Sequence, residues 1–280
     1  MLLIIEALLL ISVALGQDHR TAKGQIFPLD MAPDSVDDQY IGCRKDMKKQ
    51  VETNYLQKEL GNSADFRKAW QESAKNVSHS FRSKLTKKHK IALYIYSHPN
   101  ISNIQIYRKF NNDTRHGKQN YTERKYTWYS LQFLLTDAIQ ILKKTQKRCF
   151  NTFRGTNVKF NGSVSTQVRF GSFASSSLSR ARAKNFGNTS CFEIQTCEGA
   201  NVTKYSRLPY EKEVLIPPYE TFNITAVKTR QNQTELSRQY QENPWCETVF
   251  VLNSTGTRSD LNCALFNNLT KTIGKQYGVR

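Results

Sequence analysis

The feature that most constrains this chain is a change of texture at Cys149. Ahead of it, Trp128, Leu131, Leu135, Ala138, Ile139 and Leu142 recur at three- and four-residue steps, which predicts a helix over Tyr126–Gln146 with one buried face. Behind it come short apolar or alternating runs broken by Gly, Asn and Pro: 150–154, 168–174, 192–196, 214–216, 222–227 and 248–252. These predict strands. Further helices are expected over Asp34–Leu60, where Ser35 and Asp38 resemble a capping box, and over Ala64–Val77, while Ile91–Ser97 reads as an early strand. Helices in front and strands behind make an α+β chain.

An apolar leader, Met1–Gly16, ends in small residues before Gln17, so export with cleavage near Gly16 is expected. No second apolar span follows, and Asn267–Arg280 is polar, which predicts a secreted, extracellular protein without membrane span or lipid anchor. Six cysteines, an even number, then predict disulfides rather than a metal site or a catalytic thiol. Eleven Asn-X-Ser/Thr sites agree with an extracellular glycoprotein. The remaining residues, 17–280, are expected to form one domain, helical over 17–148 and β over 149–280.

The formal net charge of +18 would draw anionic partners, and Lys84, Lys87, Lys88 and Lys90 form the densest cluster. No specific nucleic-acid partner is expected from it, since a solvated basic surface explains it equally well. Neither GxGxxG nor GxxxxGK[ST] is present, which argues against a doubly wound dinucleotide fold and a P-loop. The five histidines show no ligand spacing, so no metal is expected.

Three patterns lie in order in the strand-rich half: Phe153-Arg154-Gly155-Thr156, Phe173-Ala174-Ser175-Ser176-Ser177-Leu178 and Glu211-Lys212-Glu213-Val214. Together they resemble the arginine–serine–glutamate signature of the vertebrate ecto-ADP-ribosyltransferases, whose glutamate belongs to a Glu-x-Glu pair. The resemblance extends to Phe110-Asn111 with Arg115, to Phe133-Leu134-Leu135, to Cys149, to Ile194-Gln195-Thr196-Cys197 and to Pro217-Pro218-Tyr219-Glu220. It implies a helical region packed on a two-sheet β core with an NAD cleft. It also implies mono-ADP-ribosyl transfer to arginine on extracellular proteins, with NAD as co-substrate and no permanently bound cofactor.

By that resemblance Arg154, Ser175 and Glu213 are catalytic and Glu211 binds the acceptor. Arg154 offers a planar fork of donors to the pyrophosphate or ribose, Gly155 lets backbone approach the nicotinamide amide, and Ser175 holds the ribose or the acid. Glu213 stabilises the positive charge that develops on the ribose, and Glu211, two residues earlier in an extended segment, shares its side and pairs with the guanidinium. Phe186 and Tyr96 complete the expected NAD contacts. The pairings Cys43–Cys246 and Cys149–Cys197 are implied in the same way, leaving Cys191 and Cys263 as a further bridge or as free thiols. Two other functions fit the sequence: an NAD glycohydrolase on the same site, and a non-catalytic basic protein that binds polyanions.

Overall fold

The computed structural model describes residues 25–77, 83–101, 104–230 and 244–266. The expected leader, the polar tail and the sites at Asn232 and Asn268 lie outside the described residues. Helices α1 (Arg44–Gln50) and α2 (Leu56–Asn62) are joined by a π-helical turn, Val51–Tyr55. They are followed by α3 (Ala64–Asn76), α4 (Lys87–Tyr96), α5 (Ile106–Arg115), α6 (Lys118–Thr122) and α7 (Tyr129–Gln146). The strands are β1 (Ile26–Pro28), β2 (Phe150–Thr156), β3 (Lys159–Asn161), β4 (Gln167–Val168), β5 (Ala174–Ser177), β6 (Ser190–Thr196), β7 (Ala200–Asn201), β8 (Glu213–Ile216), β9 (Glu220–Thr229) and β10 (Thr248–Thr257).

Eight strands run in the order β4-β9-β10-β6-β2-β5-β8-β7, with β1 and β3 as a separate parallel pair. Strands β2 and β5 share a single register pair, Phe153↔Ser177. The long sheet is therefore two sheets, of five and three strands, hinged at one residue pair. Residues of both, among them Ala174 and Ile216 from one and Phe192, Phe222 and Phe250 from the other, meet in one apolar cluster. Their neighbours Phe173 and Leu215 point the other way, into the helical core with Phe110, Leu131 and Leu135. Alternation along β5 and β8 thus puts sheet against sheet on one face and helices on the other.

Three local expectations are corrected. Residues 91–96 are helical, not a strand: the Thr86 hydroxyl accepts from His89 N, and His89 Nδ1 accepts from Thr86 N in return. A capped start and burial on nearly all sides override the β-branched run. Residues 34–42 are not helical either. Instead of capping a helix, the Asp37 carboxylate accepts from Arg169 and from the backbone of Asp260 and Leu261, while Asp38 accepts from Tyr40 N, Cys263 N and the Tyr121 hydroxyl. Helix α7 is buried around its whole first half, Ser130, Gln132, Thr136 and Asp137 included, rather than on one face.

The disulfides are Cys43–Cys263, Cys149–Cys197 and Cys191–Cys246. The second matches expectation; Cys43–Cys246 and Cys191–Cys263 do not form. Backbone geometry gives the reason. Asp37 and Asp38 hold residues 260–263 against the segment before α1, and parallel pairing of β10 with β6 sets Val249, three residues after Cys246, opposite Cys191.

Candidate active site

The three motifs converge where the two sheets meet. Arg154 on β2 donates from Nη1 to the Ser175 carbonyl at 2.7 Å, linking the five-stranded sheet to β5 beyond their one register pair. The Ser175 hydroxyl donates to Glu213 Oε1 at 2.6 Å. Ser177 stands opposite Glu213 in the β5–β8 ladder, so Ser175 reaches it as the same-face neighbour two residues along. Glu213 is 2 % exposed, and burial raises its pKa against hydrogen bonds from Ser175 and Ser206 and the charge of Arg154. Ser206, in the turn before Pro209, was not anticipated; nothing in its sequence context marks it as a partner of the acid.

The remaining serines fasten the backbone of the glutamate segment. Ser176 donates to Val214 O at 3.0 Å and Ser177 to Glu211 O at 2.6 Å. Glu211 does not lie in an extended segment, so its expected place by strand alternation is corrected: it ends a single 3-10 turn, Pro209–Glu211, and Lys212 follows in the left-handed region at φ +52°. The local cause is Pro209 at the start of the turn, which favours a helical φ and cannot donate to a ladder. Both carboxyls are nonetheless buried and electrostatically coupled, while the Lys212 side chain is exposed. Burial, with the charge of Glu213 adding, pushes Glu211 up to about 8, and Arg182 pulls it down. Glu211 Oε1 and Glu213 Oε2 are buried acceptors without a hydrogen-bond partner among the described residues. Two such oxygens suit a substrate that brings donors, and sugar hydroxyls and a guanidinium are donors of that kind.

Gly155 lies under the loop after α8 (Arg180–Ala183). A Cβ there would stand 2.4 Å from the Ala183 carbonyl oxygen and 2.5 Å from that of Gly187, so this strand and that loop meet backbone to backbone. Phe186 is in the same loop, 2 % exposed, and presents no open ring face. Tyr96 is helical and buried. Its hydroxyl donates to Phe173 O at 2.8 Å and accepts from Asn111 Nδ2 at 3.0 Å, which supports the residue leading into the serine motif from below. Direct contact between Tyr96 and NAD is therefore not what this placement provides. On the other side of Arg154 a crevice opens toward Arg115, with Phe160 and Asp30 on its walls, and continues into a cavity of about 330 Å³. A path that carries Arg154, Arg115 and the Phe160 ring suits a dinucleotide's phosphates and base.

Known proteins carry the same architecture. The family model described as NAD:arginine ADP-ribosyltransferase matches residues 29–243. The NAD(P)(+)--arginine ADP-ribosyltransferase 2 of Gallus gallus is 33% identical over 259 residues, covering 89% of this chain and 75% of that one. The GPI-linked NAD(P)(+)--arginine ADP-ribosyltransferase 1 of Mus musculus is 32% identical over 286 residues, covering 92% and 82%. Among solved structures, a mutant of the eucaryotic mono-ADP-ribosyltransferase ART2.2 in complex with NADH superposes with a TM-score of 0.67 at 29% identity, covering 85% of this chain and 98% of that one. By sequence and by fold, the chain belongs to the NAD:arginine ADP-ribosyltransferase family.

Proposed function

We propose that this protein transfers ADP-ribose from NAD to arginine side chains of extracellular proteins, with residues 17–280 as one catalytic domain. The observation that carries the reading is the pair of buried carboxyls, Glu211 and Glu213, one fixed by a serine and the other coupled to it across a single turn. NAD is the co-substrate. Arg154 and Arg115 bind its phosphates, and the Gly155 strand with the 183–187 loop encloses the nicotinamide. When the bond between nicotinamide nitrogen and ribose C1′ breaks, its electron pair goes to the nicotinamide and the ribose takes on positive charge. Glu213, held by Ser175, stabilises that charge from a fixed, buried position. A guanidinium nitrogen then bonds to C1′, and the proton it loses passes to Glu211 or solvent.

Secretion rests on the apolar leader and on the extracellular character of the chain. Three disulfides and exposed glycosylation sequons at Asn76, Asn112, Asn120, Asn161, Asn188 and Asn253 support an oxidising, glycosylating route. The test is incubation with labelled NAD and agmatine, reading nicotinamide release and adduct separately, for the wild type and for Glu213→Gln. Adduct from the wild type and neither product from the variant are expected. Release without adduct would make the protein a glycohydrolase, and substantial NAD cleavage by Glu213→Gln would remove Glu213 from its role.

A further inference from the structure

Short helix α8 carries two arginines, each laid over an aromatic ring from a different motif. The Arg180 guanidinium carbon is 5.8 Å from the centre of the Phe153 ring, next to Arg154, and that of Arg182 is 5.5 Å from the centre of the Tyr210 ring, next to Glu211. Tyr210 is 43% exposed, and Arg182 is exposed as well. The positive charge of Arg182 is felt by the Glu211 carboxyl, as is that of Arg207 by the Tyr210 hydroxyl.

An arginine arriving from a protein substrate needs two things at this place: a carboxylate for its charge and a flat apolar surface for its guanidinium plane. Glu211 supplies the first and the adjacent Tyr210 ring the second. Resting on the proposed role of Glu211 as the acceptor-side acid, we propose that Arg182 is a built-in stand-in for the acceptor: its guanidinium covers the Tyr210 face beside Glu211, and an incoming arginine must displace it. Arg182 then acts as a specificity residue, not a catalytic one. It weakens capture of any lone guanidino compound and favours substrates whose other contacts offset the displacement.

The test compares Arg182→Gln with the wild type, each also in a Tyr210→Leu background, for KM and kcat toward agmatine and for KM toward NAD. Releasing an exposed cation–π contact is expected to lower the agmatine KM roughly two- to fivefold, with kcat and the NAD KM little moved. In the Tyr210→Leu background the gain should shrink, because Arg182 no longer has a ring to cover. An unchanged or raised agmatine KM would overturn the proposal, as would an equal gain without the tyrosine. A parallel rise in the NAD KM would overturn it too, by assigning Arg182 to the NAD phosphates. Calorimetric binding of agmatine to the four proteins reads the same subsite without turnover. If the wild type makes no adduct at all, the proposed function fails while the binding measurement still decides the role of Arg182.

Discussion

Replacing Glu211 by Gln separates acceptor capture from bond cleavage. The substitution keeps the size of the side chain and its ability to accept, and it leaves untouched the Ser177 bond, which is made to the Glu211 backbone. It removes the charge and, with it, the capacity to take up the guanidinium proton. With its carboxyl pushed up to about 8, Glu211 is ionised in roughly a fifth of molecules at pH 7.4 and in nearly all by pH 9. A hydrogen bond to a charged group contributes about 1.5–3 kcal/mol, or about ten- to a hundredfold in kcat/KM for the acceptor once Glu211 is fully ionised. Scaled by the ionised fraction, the wild-type advantage is about two- to twentyfold at pH 7.4, and it should disappear near pH 6. The assay is agmatine adduct formation from pH 6 to 9.5, with nicotinamide release in the absence of acceptor as the companion readout. Transfer by the wild type should climb with pH around a midpoint near 8, the variant should lack that climb, and hydrolysis should persist in both. Equal loss of both activities, or a wild-type advantage that does not change with pH, would refute the reasoning.

Gly155→Ala would drive its methyl into two backbone carbonyls of the 183–187 loop, so kcat/KM for NAD should fall on the order of 10–100-fold; steady-state kinetics at unchanged acceptor concentration reads it, and normal kinetics would show that this strand and loop do not set the cleft. Glu59 is buried with both carboxylate oxygens on Ser130 N at the start of α7, and burial pushes it up to about 8 from an ordinary value of 4.5. Because its folded pKa is raised, the unfolded chain gives up this proton first, so its contribution to stability falls as pH rises from about 4.5 to about 8. Glu59→Gln should therefore flatten, without abolishing, the decline of Tm over that window, since Glu211 contributes a decline of the same sign; a parallel profile would place the Glu59 proton elsewhere.

What the sequence disclosed, it disclosed through periodicity and through motif order. The α7 spacing and the strand runs after Cys149 identified the α+β frame, and the order of arginine, serine and glutamate marked residues that the fold brings together, because both are local properties of the chain. Residues 91–96 misled, since a short β-branched run looks alike in a strand and in a helix buried on all sides; the deciding signal was the Thr86–His89 cap. Asp38 misled for a different reason: its spacing from Ser35 matches a capping box, yet its partners, Tyr121 and Cys263, are far away in sequence. The same long-range clamp decided which cysteine reaches Cys43. At the site itself, spacing alone correctly grouped Glu211 with Glu213 but not by strand alternation, because Pro209 imposes a turn and Lys212 reverses the backbone.

That turn gives the two carboxyls different mechanical settings. Glu213 begins β8, between β5 and β7, and the three hydroxyls of the serine motif run along it: one on the Glu213 carboxyl, one on Val214 O, one on Glu211 O. Each neutral bond is worth about 0.5–1.5 kcal/mol and the one to the carboxylate more, so the run of serines is a fastening along the whole segment as well as a contact to the acid. A group that must oppose charge developing on the ribose gains most from such fixation, since a preorganised charge needs no rearrangement when the bond breaks. Glu211 has its backbone fastened but its neighbours, Tyr210 and Lys212, face solvent. An acceptor that comes on a protein surface must be met where the enzyme is open. On the roles proposed for Glu213 and Glu211, bond cleavage would be set in a strand and substrate choice in the turn leading into it, so substitutions in residues 207–212 and in α8 are expected to alter which arginines are modified without disturbing how NAD is opened.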